Sequence, residues 1–209
     1  MTDAPTEGLQ EYLDEEPRAQ SLSDWIWGLS RWGKPVLVRA ALALAETCLE
    51  TWTRGVPEDG SWQRQYASSP VLAEALKTLR AWLEREPEPG DSELEACASA
   101  VRELVHSAEF YVYEASGSAG LAAMRGRAVA AGRASQMALE AATWTEALAT
   151  EGLLEEDADE RHARASAGPA PEVWEAVQAY LLALPGTSEE QVRERIREAL
   201  RVSGAGLPG

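Results

Sequence analysis

The chain has 209 residues and a formal net charge of −16 at pH 7, with 45% hydrophobic and 26% charged residues. This composition is typical of a globular protein with one sizeable core, and it excludes an intrinsically disordered chain. The excess of acids argues against nucleic-acid binding, because phosphate contacts depend on Lys and Arg.

The N-terminal residues predict no secretion signal. The first twenty carry six acids and one base, whereas a signal peptide needs a basic start and an apolar run. The longest apolar stretches, such as residues 40–45, are too short to span a bilayer. Cys48 and Cys97 lie on separate predicted helices, and we expect free thiols in a reducing compartment. These features predict a cytoplasmic protein without membrane contact.

Helix signals dominate the first half of the chain, and no pattern with the period of a strand appears. The predicted elements are a Trp-rich helix over 21–32 with a serine cap, a long helix from Lys34-Pro35 to Gly55, a connection over 56–69 and a leucine-faced helix from Ser69-Pro70. In the first helix, Trp25, Leu29 and Trp32 share one face. That face is either core or an interface, and core filling is the favoured interpretation.

The second half of the chain continues the helical pattern. The predicted elements are a helix from a Ser92–Glu95 capping box to about Ala115, an Ala-rich helix over about 118–149, an acidic connection over 151–170 with at most a helical turn or two, and helices over 171–184 and 188–204. We therefore predict an all-α fold, a single helical-bundle domain of seven or eight helices with a C-terminal helical pair. Its parts are an acidic N-terminal segment with the helical core (1–150), the connection (151–170) and the helical pair (171–204), which packs back on the core.

The Ala-rich helix is predicted to pack at the centre of the core. Small residues recur at every fourth position, which allows neighbouring helices to approach closely. Gly126 and Gly132 are expected at such close approaches, because interior glycines otherwise disfavour a helix. The arginines of this helix, Arg125, Arg127 and Arg133, do not form a strip for nucleic acid, and we expect them to reach the surface and pair with carboxylates.

Four stretches carry a resemblance to a known family. They are Pro57-Glu58-Asp59, "ALKTLRAWLERE" at 75–86, "ACASAVRELVHSA" at 96–108 and "AVAAGRASQMALEAA" at 128–142. Their layout over about residues 36–150 resembles the all-helical "putative immunity protein" family, type five, of bacterial polymorphic-toxin systems. The resemblance implies a protein that binds and neutralises a cognate toxin. In that family a histidine often follows the glycine of the Ala-rich helix, where this chain has Arg133, so no family site is transferred.

The sequence offers little for catalysis. It has only two histidines, His106 and His162, each with an acid three residues earlier, a spacing found in di-iron bundles. Glu103 is expected to face away from the core, and no second strong pair exists. We predict no catalytic, cofactor-binding or metal site and no cofactor, hence a non-enzymatic protein; a metal-dependent helical-bundle enzyme is the third-ranked alternative.

Two groups of residues are candidates for contact with a protein partner. The first is an acidic group that would attract a basic toxin domain: Glu155, Glu156, Asp157, Asp159 and Glu160. The second is His106, Phe110 and Tyr113, which share a helix face opposite the core face. Either further helices bury this face, which is the favoured interpretation, or it is exposed for a partner. The predicted function is toxin neutralisation, and the alternative is a helical scaffold or regulatory protein that self-associates.

Overall fold

Helices account for every regular element in the computed structural model, which describes residues 8–14, 20–85, 91–149 and 158–204. The predicted all-α fold class is confirmed. The α-helices are α1 (Leu9–Asp14), α2 (Leu22–Gly28), α3 (Lys34–Arg54), α4 (Gly60–Trp62), α5 (Val71–Glu84), α6 (Ser92–Glu114), α7 (Ala119–Thr143), α8 (Glu146–Ala149), α9 (Ala158–Ala167), α10 (Ala170–Ala183) and α11 (Glu189–Gly204). A 3₁₀ turn (Leu29–Trp32) extends α2, and a π-helical turn (Gln63–Ala67) extends α4. Among the described residues, no helix is both long and apolar enough to cross a membrane.

Local sequence signals determine several helix ends. The Ser21 hydroxyl accepts the Asp24 N–H at the start of α2, and Ser188 and Gln191 cap α11 reciprocally. Gly55 ends α3 at φ 56°, a backbone conformation that disfavours other residues. A Cβ there would also lie 2.8 Å from the Trp62 ring, which is too close for a side chain. The N-cap of α6 is Asp91 rather than Ser92, since the Asp91 carboxylate accepts the Glu93 and Leu94 N–H groups.

The Ala-rich helix α7 lies at the centre of the bundle, as its sequence predicts. It packs against α3, α6 and α10, and its residues Ala128, Ala131, Ala134 and Ala138 are fully buried. Trp25 and Leu29 are also buried, whereas Trp27 is 39% exposed, so the Trp-rich segment belongs mainly to the core.

The C-terminal helices share this core. Helix α10 packs on α3 and α7, and α11 packs on α3. Arg201 pairs with Asp14 of α1 at 2.7 Å, and the Arg193 guanidinium donates to the Gln20 carbonyl at 2.9 Å. Both ends of the described chain are therefore held on the same side of the bundle.

The sequence prediction was wrong at two element boundaries. Helix α7 ends at Thr143 and not near residue 149, because Trp144 turns to an extended conformation and its carbonyl accepts a hydrogen bond from Lys34 at 3.0 Å. Within the predicted connection 151–170, residues 158–167 form α9, which is longer than a turn or two. Acids in its first turn and a Glu160–Arg164 pair at 2.7 Å favour this helix.

The two interior glycines of α7 differ in their surroundings. A Cβ at Gly132 would lie 2.7 and 2.9 Å from Trp52 ring carbons and 3.1 Å from Val105, whereas a Cβ at Gly126 would meet nothing within 4 Å. The predicted close approach is confirmed at Gly132 and is wrong at Gly126.

We expect Gly132→Ala to lower the free energy of unfolding by about 1–3 kcal/mol through overpacking. Gly126→Ala, the matched control, should raise it by up to about 1 kcal/mol. Chemical denaturation measures both, and equal effects would contradict this account of α7.

Glu172 in α10 is a second test of the core. Its Oε2 is buried without a hydrogen-bond partner among the described residues, and burial, with Glu140 and Glu175 nearby, raises the pKa of this carboxyl. The folded chain then holds the proton at pH values where the unfolded chain has lost it, so stability falls as pH rises through the raised pKa. Glu172→Gln should therefore raise Tm at pH 7, with a gain that disappears below the ordinary glutamate pKa. Glu103→Gln, an exposed control, should leave Tm unchanged at both pH values; a pH-independent effect of Glu172→Gln would refute the assignment.

Candidate functional site

The chain between α3 and α5 is more deeply buried than its prediction as a simple connection implies. Val56, Asp59, Trp62 and Tyr66 are all at least nine-tenths buried. Instead of running over the surface, the segment turns inward through α4 and the π-helical turn and packs against α6. The physical cause is its two aromatic residues, which bury a large apolar area.

Asp59 lies at the centre of a buried polar cluster. Its carboxylate accepts the backbone N–H groups of Ser61 and Trp62, each at 3.1 Å, and so caps α4. The Tyr111 hydroxyl of α6 donates to the same carboxylate, 2.8 Å from Oδ2. The Arg125 guanidinium of α7 donates through Nε at 2.8 Å and lies 2.6 Å away through Nη2. Both charged side chains are less than a tenth exposed.

Arg125 also holds the connection between α6 and α7. Its Nη1 donates to the carbonyls of Ser116 at 3.1 Å and Ala115 at 3.4 Å. The predicted outward position of the α7 arginines is therefore wrong for Arg125. The prediction is confirmed for Arg133, which is partly exposed and pairs with Glu109 at 3.4 Å, and Arg127 is exposed as well.

The cluster sets the protonation state of its members. Burial alone would raise the pKa of Asp59, but the hydrogen bonds from Trp62, Tyr111 and Arg125 and the charge of Arg125 together hold that pKa below its ordinary value. Burial and the neighbouring Asp59 carboxylate raise the pKa of the Tyr111 hydroxyl. Asp59 thus stays ionised and Tyr111 stays neutral, which is the state that their hydrogen bond requires.

An aromatic cluster adjoins the ion pair through Tyr111, whose ring centroid lies 5.5 Å from the Arg125 guanidinium carbon. The rings of Trp52, Trp62, Tyr66 and Tyr111 form one cluster, with neighbouring centroids 4.9–6.4 Å apart. The Tyr66 hydroxyl donates to the Ser107 carbonyl of α6 at 3.2 Å. The inner side of the last two turns of α6 is therefore fixed by packing and by hydrogen bonds.

The outer side of the same turns is open. Phe110 is 58% exposed, Tyr113 is 89% exposed, and His106 is also exposed. The favoured expectation that further helices bury these side chains is wrong, because in the described residues the other helices pack on the remaining faces of α6. At about 100° per residue, Tyr113 lies about 20° to one side of His106 and Phe110 about 40° to the other, so the three form one strip.

Charged residues border this strip unequally. On the side facing α7, Arg102 pairs with Glu140 at 3.0 Å and Glu109 pairs with Arg133. On the other side, Glu103 and Glu114 are exposed and have no ion-pair partner among the described residues. We call His106, Phe110, Tyr113, Glu103 and Glu114 the outer face of α6.

The acidic group predicted to meet a partner is only partly described. Asp159 and Glu160 are exposed in α9, and Glu160 pairs with Arg164. Glu155, Glu156 and Asp157 lie outside the described residues. Within the part of the chain that the structure describes, no group of three or more His, Cys, Asp or Glu residues lies where it could hold a metal ion.

Comparisons with known proteins assign no relative. No family model matches the chain, and no curated protein or solved structure matches it. The resemblance to the immunity family therefore stays a prediction.

The ion pair is the main feature that sequence reasoning missed. Asp59 and Arg125 are 66 positions apart, and neither periodicity nor spacing connects them. Two local signals point to them: the sequence Asp59-Gly60-Ser61-Trp62 has an N-cap residue before a short helix, and Arg125 lies among the small residues of the Ala-rich helix.

Breaking the pair should cost far more than breaking an exposed one. We expect Asp59→Asn or Arg125→Met to lower the free energy of unfolding by about 3–5 kcal/mol, because each leaves a buried polar group unpaired. Glu109→Gln, which breaks the partly exposed pair with Arg133, should cost less than about 1 kcal/mol.

Acid titration gives the same test a second readout. The pKa of Asp59 is lowered by folding, so its contribution is complete above the ordinary aspartate pKa and is lost as pH falls through the lower value. The difference in the free energy of unfolding between the parent and Asp59→Asn should become smaller in that acidic range. Denaturant unfolding at several pH values measures this difference, and equal costs for the buried and exposed pairs would contradict the burial of the cluster.

Proposed function

We propose that this chain is a non-enzymatic, cytoplasmic immunity protein that neutralises a cognate toxin by binding it through the outer face of α6. The observation that carries the proposal is the exposure of Phe110 and Tyr113 on a helix whose inner side is fixed by the Asp59 cluster. The resemblance of residues 36–150 to a toxin-immunity family supports the choice of partner class. The alternative without toxin neutralisation is a helical scaffold or regulatory protein that self-associates.

Exposed rings on a rigid helix are suited to protein binding. Aromatic side chains are enriched among the residues that contribute most to protein–protein affinity, and a helix that is already ordered loses little backbone entropy on association. Phe110 and Tyr113 are two of the four large hydrophobic side chains that are conspicuously exposed among the described residues; the others are Trp27 and Leu182.

The charge of the chain favours a basic partner. The formal net charge of the whole chain is −16, a value that includes the exposed acids Asp159 and Glu160 of α9. Such a field accelerates the encounter with a positively charged protein, whereas buried aromatic anchors determine how long the complex lasts.

The same charges argue against self-association through this face. In a symmetric dimer that pairs two antiparallel copies of α6 through this face, Glu103 and Glu114 of one copy would approach the same acids of the other, with no unpaired cation among the described residues on that side of the helix. We therefore expect light scattering to show a monomer at micromolar concentration.

Growth rescue tests the proposal. We propose to express the product of the neighbouring reading frame, alone and together with the chain, and to measure bacterial growth. The parent should restore growth, and the double variant Phe110→Ala/Tyr113→Ala should lose the rescue, because it removes both exposed rings. Leu182→Ala, which removes another exposed side chain, from α10, should retain it.

Thermal unfolding of the purified variants accompanies the growth assay. All three substitutions lie at exposed positions, so each Tm should equal that of the parent. Failure of the parent to protect against a growth-arresting product would refute toxin neutralisation. Full rescue by the double variant would refute the assignment of the outer face of α6.

A further inference from the structure

Among the described residues, arginine side chains lie over aromatic rings at three places. The guanidinium carbon of Arg125 lies 5.5 Å from the Tyr111 ring centroid while its nitrogens bind Asp59. Arg197 lies 5.8 Å from the Trp25 ring and pairs with Glu190 at 2.7 Å. A third guanidinium, that of Arg31, lies 5.3 Å from Tyr12 and 5.2 Å from Trp32.

The outer face of α6 has exposed aromatic rings and carboxylates, but no arginine of the described ranges lies over the rings. At about 1.5 Å per residue, Glu114 lies one turn beyond Phe110, and Glu103 lies about two turns before it on the same side of the helix. Both rings are exposed, and both carboxylates have no ion-pair partner among the described residues. The one arginine of α6, Arg102, is already paired with Glu140 across the interface with α7.

We propose that the outer face of α6 binds arginine side chains of the partner, with guanidinium groups stacked on Phe110 and Tyr113 and paired with Glu103 and Glu114. This inference rests on the proposed function and specifies the chemistry of the partner segment. The occupant is a basic protein segment, since unpaired carboxylates beside exposed rings complement a cation that is flat and apolar on its faces.

Arginine fits this face better than lysine. The guanidinium is planar, so it stacks on a ring while its edge donates two parallel hydrogen bonds to a carboxylate. An ammonium group is compact and strongly hydrated, and it loses more solvation against a ring. A purely apolar partner segment would leave both carboxylates without a counter-charge at the edge of the contact.

Synthetic peptides test the inference directly on the full chain. The probes are three amphipathic helical peptides that are identical except at three positions on one face, which carry arginine, lysine or citrulline. Citrulline keeps the shape of arginine and removes its charge. Binding is followed by chemical-shift changes of the chain in NMR titrations up to millimolar peptide.

The arginine peptide should give saturable shifts centred on residues 103–114, and the lysine peptide should bind at least about fivefold more weakly. The citrulline peptide should give no saturable shifts. Phe110→Leu and the pair Glu103→Gln/Glu114→Gln should each weaken the arginine peptide at least about fivefold. Glu95→Gln, an exposed acid near the start of the same helix, should leave its affinity unchanged.

Three results would overturn the inference. The arginine and citrulline peptides could bind equally well, the chemical-shift changes could map elsewhere on the chain, or the arginine peptide could give no saturable shifts. These results are distinguishable from a failure of the proposed function. If growth rescue requires Phe110 and Tyr113 but the arginine and citrulline peptides bind equally well, only this inference is refuted. If the Phe110→Ala/Tyr113→Ala variant still rescues growth, the proposed function of the outer face of α6 is refuted.

Discussion

One buried carboxylate connects the segment that contains α4 to the end of α6 and the start of α7, which lie 52 to 66 positions later in the sequence. Asp59 caps α4, accepts the Tyr111 hydroxyl of α6 and pairs with Arg125 of α7, which in turn binds the carbonyls of the connection between α6 and α7. Taking two charges out of water offsets much of their attraction, so such a pair is a weak source of net stability. Its main consequence is positional, because few other arrangements of these segments would satisfy both charged groups.

The proposed binding surface depends on that position. Tyr111 points inward to Asp59, while Phe110 and Tyr113 on the same two turns point outward to solvent. The hydrogen bond between Tyr66 and Ser107 and the Arg133–Glu109 pair hold the two flanks of α6. The exposed rings are thus presented by a helix that is fixed before any partner arrives, which lowers the entropy lost on binding.

The sequence predicts the helices better than their surroundings. Periodicity and caps locate α3, α5, α6, α10 and α11 within a few residues, and the small-residue pattern identifies α7 as central. The same pattern cannot separate Gly132, which faces Trp52, from Gly126, which faces open space. It also could not show that no further described helix covers Phe110 and Tyr113, since both outcomes give the same apolar face.

The ion pair was hidden for a related reason. An arginine in a helix of small residues is ordinarily expected to reach solvent, and Arg125 does not because Asp59, from a segment predicted as a surface connection, meets it in the interior. Tertiary contact between distant residues decides both features. Local spacing carries no information about it.

Amide hydrogen exchange of Asp59→Asn, compared with the parent and with Glu109→Gln, tests the central role of Asp59 most directly. If the ion pair fixes α4 and the end of α6, exchange should accelerate in residues 56–67 and 110–118 while α10 keeps its protection. Glu109→Gln should leave both segments as protected as in the parent. Unchanged protection of 56–67 and 110–118 in Asp59→Asn, or equal acceleration in α10, would contradict the claim that this carboxylate positions the outer face of α6.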